Sequence, residues 1–397
     1  MRDGTEAGKG LPKRDYILLP LTVVLTLAFI ACVSEVGARI LWPQQLRDRC
    51  EVSEGGQIRV QPNCRAVVKA AEGAWVEYRY NECGFRSAAP CGPKPANTVR
   101  IVTIGTSISR GYWMHYDDSF SGRLERDLSR SCRRPVEFQN VAVGAAQARA
   151  WHTAAQQSDA ALALQPDALV LVVSNFDLVQ YEAPAPEGQP AATPPARFSL
   201  IGTLNQLRSQ FTSDSRAMSM AMHFAFSDPD RYLRFFMQHG DTADYLRQPL
   251  SAAWRFRLGK VDETIGPIAT AAEAAHVPLF LMLAPPRPAV LLAHEAAQFP
   301  TLDGRALPEA LAEIAARHGA IFVDPTQIES SAPDWDKLFF VSDGHPNAQG
   351  HQLMAAALRS ALVKDVGALQ ECAQGAPASA AMQSAQARVL TSPRARN

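Results

Sequence analysis
Two short stretches far apart in the chain hold side chains that can do chemistry together. Gly105-Thr106-Ser107 follows the apolar run Arg100–Ile104, and Ser342-Asp343-Gly344-His345-Pro346-Asn347 stands near the other end. A serine hydroxyl becomes a nucleophile when an imidazole takes its proton and a carboxylate holds that imidazole in the right tautomer. Asp343, two residues before His345, is within reach of it on a turn. A serine just past a strand end also meets backbone N–H groups that can stabilise an oxyanion. By itself, strand-Gly-x-Ser is as readily a helix cap; the distant histidine in a polar loop is what turns the reading towards acyl chemistry.

These residues need elements to position them. Short apolar runs at Arg100–Ile104, Val136–Val143, Ala168–Ser174, Pro278–Ala284 and Ala320–Asp324 have the length and composition of buried strands. Between them, Ser119–Cys132, Ala145–Leu164, Ala252–Ala275, Leu307–His318 and Asn347–Val363 carry helical periodicity. Strands alternating with helices predict an α/β fold with a central parallel sheet covered on both faces. Upstream, Trp75–Tyr80 reads as a further strand. A helical insertion, 178–250, follows the third strand; it opens with a Pro/Ala-rich loop and contains Met218, Met220, Met222, Phe224 and Phe226. Packing is the first expectation for these apolar residues, with a lid or a membrane-facing surface as the alternatives.

The N-terminus bears on compartment. Residues 16–34 contain no charge and match the roughly 20 residues of a transmembrane anchor. Arg2, Lys9, Lys13 and Arg14 precede them, which favours a cytoplasmic N-terminus for residues 1–15. A cleaved signal peptide and a lipoprotein site at Cys32 are the alternatives. The retained anchor predicts a single-pass protein of the inner membrane with its remaining domains in the periplasm or outside the cell. Cys50, Cys64, Cys83, Cys91, Cys132 and Cys372 then lie on an oxidising side, where disulfides form. At least one bridge is expected among the first five, and six cysteines allow 15 pairings. The domain order read from this is a cysteine-containing juxtamembrane segment 35–98, a catalytic domain 99–365, and a disordered tail 366–397. Lys+Arg and Asp+Glu number 39 each, which excludes the basic surface expected of a nucleic-acid partner. No cysteine or histidine spacing suits a metal, and no cofactor is expected.

Four blocks in order resemble the SGNH (GDSL-like) hydrolases in their membrane-anchored bacterial form. They are Gly105-Thr106-Ser107, Asn140-Val141-Ala142-Val143-Gly144-Ala145, Ser174-Asn175-Phe176-Asp177 and Asp343-Gly344-His345-Pro346-Asn347. Asn81-Glu82-Cys83-Gly84-Phe85-Arg86 also resembles the segment leading into this domain in anchored members. The resemblance implies a flavodoxin-like α/β/α sandwich with Ser107 as nucleophile, His345 as base and Asp343 orienting it. Oxyanion donors would be the Ser107 N–H, a backbone N–H at Gly144 or Ala145, and Asn175. Thr106 stands where the family has Asp, Phe176 separates Asn175 from Asp177, and Asp343 lies one position later than the usual carboxylate. The function implied is a serine esterase or deacylase acting on an exported ester, an acylated envelope polysaccharide or lipid. The alternatives are O-acyl transfer to a sugar hydroxyl with a membrane partner as acyl donor, and a non-catalytic glycan-binding or scaffold protein of the envelope.

Overall fold
The computed structural model describes residues 14–41, 48–54, 57–70, 72–142, 155, 157–183 and 215–374. It divides into two compact units, one of residues 1–44 and 193–224, the other of 45–192 and 225–397.

In the first unit, helix α1 (Asp15–Leu41) is 27 residues long with a mean hydropathy of 2.5 over its most apolar window. It is long and apolar enough to cross a membrane, and its Leu, Val, Ile and Phe side chains are exposed. Near its end the Glu35 carboxylate accepts from Ser215 Oγ at 2.8 Å and from the backbone N–H groups of Arg216 and Ala217 at 3.1 Å. Those two N–H groups belong to the first turn of a later helix that runs Arg216–Phe226, and first-turn N–H groups have no partner within their own helix.

The second unit begins with two antiparallel hairpins, β1 (Glu51–Glu54) with β2 (Gln57–Val60), and β3 (Arg65–Lys69) with β4 (Trp75–Arg79). A five-stranded parallel sheet follows, built from β5 (Val99–Ile104), β6 (Val136–Asn140), β7 (Ala168–Val173), β8 (Leu279–Leu283) and β9 (Ile321–Val323). Their spatial order is β6-β5-β7-β8-β9. This is the flavodoxin-like order, whose direction reverses between the first and third strands, here β5 and β7.

Helices cover both faces of the sheet. Among the described residues the helices after α1 are, in chain order, α2 (Ser107–Arg110), α3 (Phe120–Cys132), α4 (Ser158–Ala163), α5 (Asn175–Leu178), α6 (Arg216–Phe226) and α7 (Pro229–Phe236). After these come α8 (Ala252–Ala274), α9 (Arg287–Glu295), α10 (Ala306–Arg317), α11 (Thr326–Ser330) and α12 (Ala348–Asp365). Alternation along the strands separates two cores. Val102, Leu169, Leu171 and Leu281 pack on Trp254, Val261 and Ile265 of α8 and on Leu311 of α10. Ile101, Val170, Phe280 and Met282 pack on Phe120, Leu124 and Leu128 of α3 and on Met354, Leu358 and Leu362 of α12. Burying each such side chain stabilises the fold by about 1.5–3 kcal/mol before entropy is counted.

Residues 45–98 belong to the same compact unit as the sheet. Trp113 and the half-buried Tyr112 and Phe340 complete the apolar cluster of Val68, Val76, Tyr78 and Tyr80. Gly367–Gln374 is a 3-10 helix in which Leu369 and Cys372 are fully buried. In the insertion, Phe226 is buried but Met218 and Phe224 are exposed, so packing accounts for only part of its apolar content. Disulfides join Cys50 to Cys64, Cys83 to Cys91, and Cys132 to Cys372. Val143, most of the predicted helix Ala145–Leu164, the Pro/Ala-rich loop and residues 375–397 lie outside the described residues.

Candidate active site
The carboxyl ends of β5 and β7, at the point where strand order reverses, carry the first two parts of the site. After β5 the chain turns through Gly105, where a Cβ would lie 2.7 Å from Ser109 Cβ and 3.0 Å from the Val172 carbonyl. Only glycine fits that approach without a shift. Thr106 is the N-cap of α2 and Ser107 its first residue, so the Ser107 N–H has no partner within the helix. After β7, Ser174 and Asp177 form a capping box that holds Asn175 at the start of α5.

The third part arrives from the far end of the chain. A bridge between Phe339 and Pro346 closes a turn, with Phe340 N–H donating to His345 O at 2.9 Å and Gly344 N–H to Phe340 O at 2.8 Å. Gly344 has φ +80°, the left-handed region that favours glycine. Asn347 then caps α12 by accepting from Gln349 and Gly350 N–H groups.

On this frame Ser107 Oγ lies 2.8 Å from His345 Nε2. His345 Nδ1 meets Asp343 Oδ1, which also accepts the His345 backbone N–H at 3.1 Å. The other carboxylate oxygen accepts Trp113 Nε1–H at 3.2 Å. Tyr112 and Phe176 lie against the imidazole, their ring centroids 5.5 and 5.9 Å away. Burial opposes charge on His345, but the Asp343 carboxylate and its hydrogen bond outweigh it, with Asp177 adding, and the pKa is raised. Burial likewise pushes the Asp343 carboxyl up, and His345 together with the Trp113 bond brings it net below the usual range. Its side chain keeps 31% of its surface open, so solvent softens the burial penalty.

The structure thus brings Ser107, His345 and Asp343 into one chain of contacts, and it uses the offset carboxylate position directly. Asn175 is buried at the adjacent strand end, and its Oδ1 has no hydrogen-bond partner. Gly144 and Ala145 lie outside the described residues. Thr106 donates to Asp177 Oδ1 at 2.6 Å, tying the first block to the third through a buried carboxyl whose pKa burial raises.

Such a chain can move a proton from hydroxyl to imidazole while a carboxylate balances the charge that forms. The sequence model of the GDSL-like Lipase/Acylhydrolase family matches residues 103–353, well over half of the chain. The chain belongs to this family.

Solved structures resemble it at low identity. A lipolytic G-D-S-L protein from Veillonella parvula DSM 2008 is 14% identical, with 67% of this chain and 99% of that chain covered and a TM-score of 0.36. The psychrotrophic esterase EstA from Pseudoalteromonas sp. is 12% identical over 68% and 97%, also at a TM-score of 0.36. Among curated proteins none matches.

Sequence reasoning missed several residues that this GDSL-like site uses. Arg86 is almost fully buried and donates to the carbonyls of Arg110 and Gly111, each at 2.6 Å, and to that of Met114. It therefore holds the end of the serine helix; the Asn81–Arg86 stretch was its only signal. Arg110, fully buried, pairs with Glu51 and with Asp48 at 3.5 Å and donates to Ala142 O. Glu72, whose carboxylate accepts the Val341 and Ser342 N–H groups, and Trp113 carried no signal, because their partners lie far away in sequence.

Proposed function
We propose that this chain is a serine esterase or deacylase working through an acyl-serine intermediate on an exported ester, an acylated envelope polysaccharide or lipid. The observation that carries the reading is the 2.8 Å contact of Ser107 Oγ with an imidazole whose other nitrogen faces Asp343. In the forward step Ser107 Oγ bonds to the ester carbonyl carbon as its proton passes to His345 Nε2. Collapse of the tetrahedral species expels the alkoxide, which takes that proton; water then repeats the sequence and releases the acid. The Ser107 N–H, the Asn175 amide and a backbone N–H at Gly144 or Ala145 are assigned to the oxyanion. Asp343 keeps the imidazole in its accepting tautomer. The apolar helix and the three disulfides support a single-pass inner-membrane protein with this domain in the periplasm.

A fluorophosphonate probe and an activated acetyl ester test the chemistry. Wild-type protein should label and turn over; Ser107→Ala should do neither. Labelling that persists in Ser107→Ala would remove the nucleophile assignment. Oligosaccharide added to the reaction reports acyl transfer if acylated sugar appears, and glycan binding with no turnover or labelling favours a non-catalytic role. A C-terminal alkaline phosphatase fusion should be active; an inactive fusion beside an active cytoplasmic reporter would overturn the placement.

A further inference from the structure
The hairpin of β3 and β4 reaches both loops of the site. Its turn carries Glu72, whose carboxylate accepts the backbone N–H groups of Val341 at 2.5 Å and Ser342 at 2.6 Å, and the Ser342 hydroxyl. These residues immediately precede Asp343. On the other side of the same peptide, Arg287 Nη1 donates to Val341 O at 2.5 Å. Within the hairpin, Tyr78 is fully buried and its hydroxyl accepts the Trp113 backbone N–H at 2.7 Å. Trp113 in turn gives its indole N–H to the Asp343 oxygen that His345 leaves free. The hairpin therefore holds the acid–base loop twice, through its backbone and through its carboxylate. The Cys50–Cys64 bridge and the Arg110 pairs with Asp48 and Glu51 fasten the preceding segment to the serine helix.

We infer that the cysteine-bearing segment is a working part of the site, in which Glu72 and Trp113 are positioning residues that hold Asp343 and His345 in register with Ser107. The inference rests on the esterase reading above. A carboxylate with donors on both oxygens has its plane fixed, and the imidazole plane follows from it. Displacement of a reacting group by about 1 Å can cost on the order of 10²-fold in rate. Because this positioning matters in the transition state more than in binding, the loss belongs in kcat.

The test uses full-length protein in detergent with an activated acetyl ester, comparing wild type, Ser107→Ala, Glu72→Gln and Trp113→Phe. Glu72→Gln keeps the size but turns one acceptor into an N–H₂ facing donors. Glu72→Gln and Trp113→Phe should each lose about 10²-fold in kcat with KM nearly unchanged. Trp113→Phe has a second readout. With one donor gone, Asp343 becomes a more basic partner, and the acid limb of kcat/KM should move to higher pH. Of the other titratable groups facing His345, Asp177 and His351 are not themselves altered, and Tyr112, whose ring packs on Trp113 at 4.4 Å, keeps an aromatic neighbour in Trp113→Phe. The position of that limb does not depend on how much protein is folded, so it decides the matter if Glu72→Gln melts below the assay temperature. Full activity in Ser107→Ala would sink the esterase reading itself. An inactive Ser107→Ala, with an unmoved limb and kcat per probe-titrated site within about twofold of wild type in both Glu72→Gln and Trp113→Phe, would overturn the positioning role alone.

Discussion

In the proposed mechanism, protonation of His345 sets the pH range in which Ser107 can be activated. Its pKa is raised above the ordinary value near 6.5 against the cost of burial, by Asp343 first and Asp177 second. With the neutral imidazole assigned as the base, activity is expected to fall as pH drops through that raised value. The acid limb of kcat/KM should therefore have its midpoint above 6.5; a midpoint at or below 6.5 would contradict the pairing. Asn175 poses a separate question, since Phe176 occupies the family's asparagine position. With Asn175 buried at the end of β7 beside the serine strand, Asn175→Ala should lower kcat by about 10²–10³ with little effect on KM. Rates within a few-fold of wild type would place the third donor elsewhere. Ser107, Asp343 and His345 were legible because each sits in a short local pattern with its own chemical logic. Glu72 and Trp113 were not: their bonds to Val341 and Asp343 span 269 and 230 residues, and no spacing encodes such a contact.

At the scale of elements, the five sheet strands were readable because strands buried on both faces are continuous apolar runs, and four of them begin and end within a residue or so of the expected positions. The N-terminal hairpins were harder. β1 and β2 are four residues each with mixed polar sequences, EVSE and QIRV, so no alternation of apolar and polar residues marks them; a disulfide beside them and the Glu51–Arg110 ion pair fasten this segment. The junction of α3 and α12 supplies a stability test. His351, on α12 and almost fully buried, stacks on Phe120, and its Nδ1 accepts the Phe120 N–H at 3.2 Å. Burial, with Arg86 and other cations adding, lowers its pKa to about 3. A depressed folded-state pKa means that its contribution is complete above about 6.5 and lost as pH falls towards 3, by up to about 1.4 kcal/mol per unit. His351→Gln should be less stable at neutral pH and lose less on acidification across that window. Parallel unfolding curves for the two proteins from pH 7 to 4 would rule this out.

For the whole molecule, the apolar N-terminal span and the even cysteine count were visible at once, whereas the pairing required the fold. Cys132 at the end of α3 meets Cys372 beyond α12, in the 3-10 helix Gly367–Gln374. Removing that bridge by Cys372→Ser should destabilise the protein by about 2–5 kcal/mol in denaturant unfolding; an unchanged midpoint would mean that the bridge is absent in the protein as made. The same bridge alters what proteolysis can do. By position in the sequence, the Pro/Ala-rich stretch between Glu182 and Ala196 lies inside the covalent ring closed by Cys132 and Cys372. One cut there would put Ser107 on one polypeptide and Asp343 with His345 on another, yet the two would stay bonded as a single particle. A nicked sample should run as one band without reductant and two with it, and it is the reductant, not the protease, that would take the site apart.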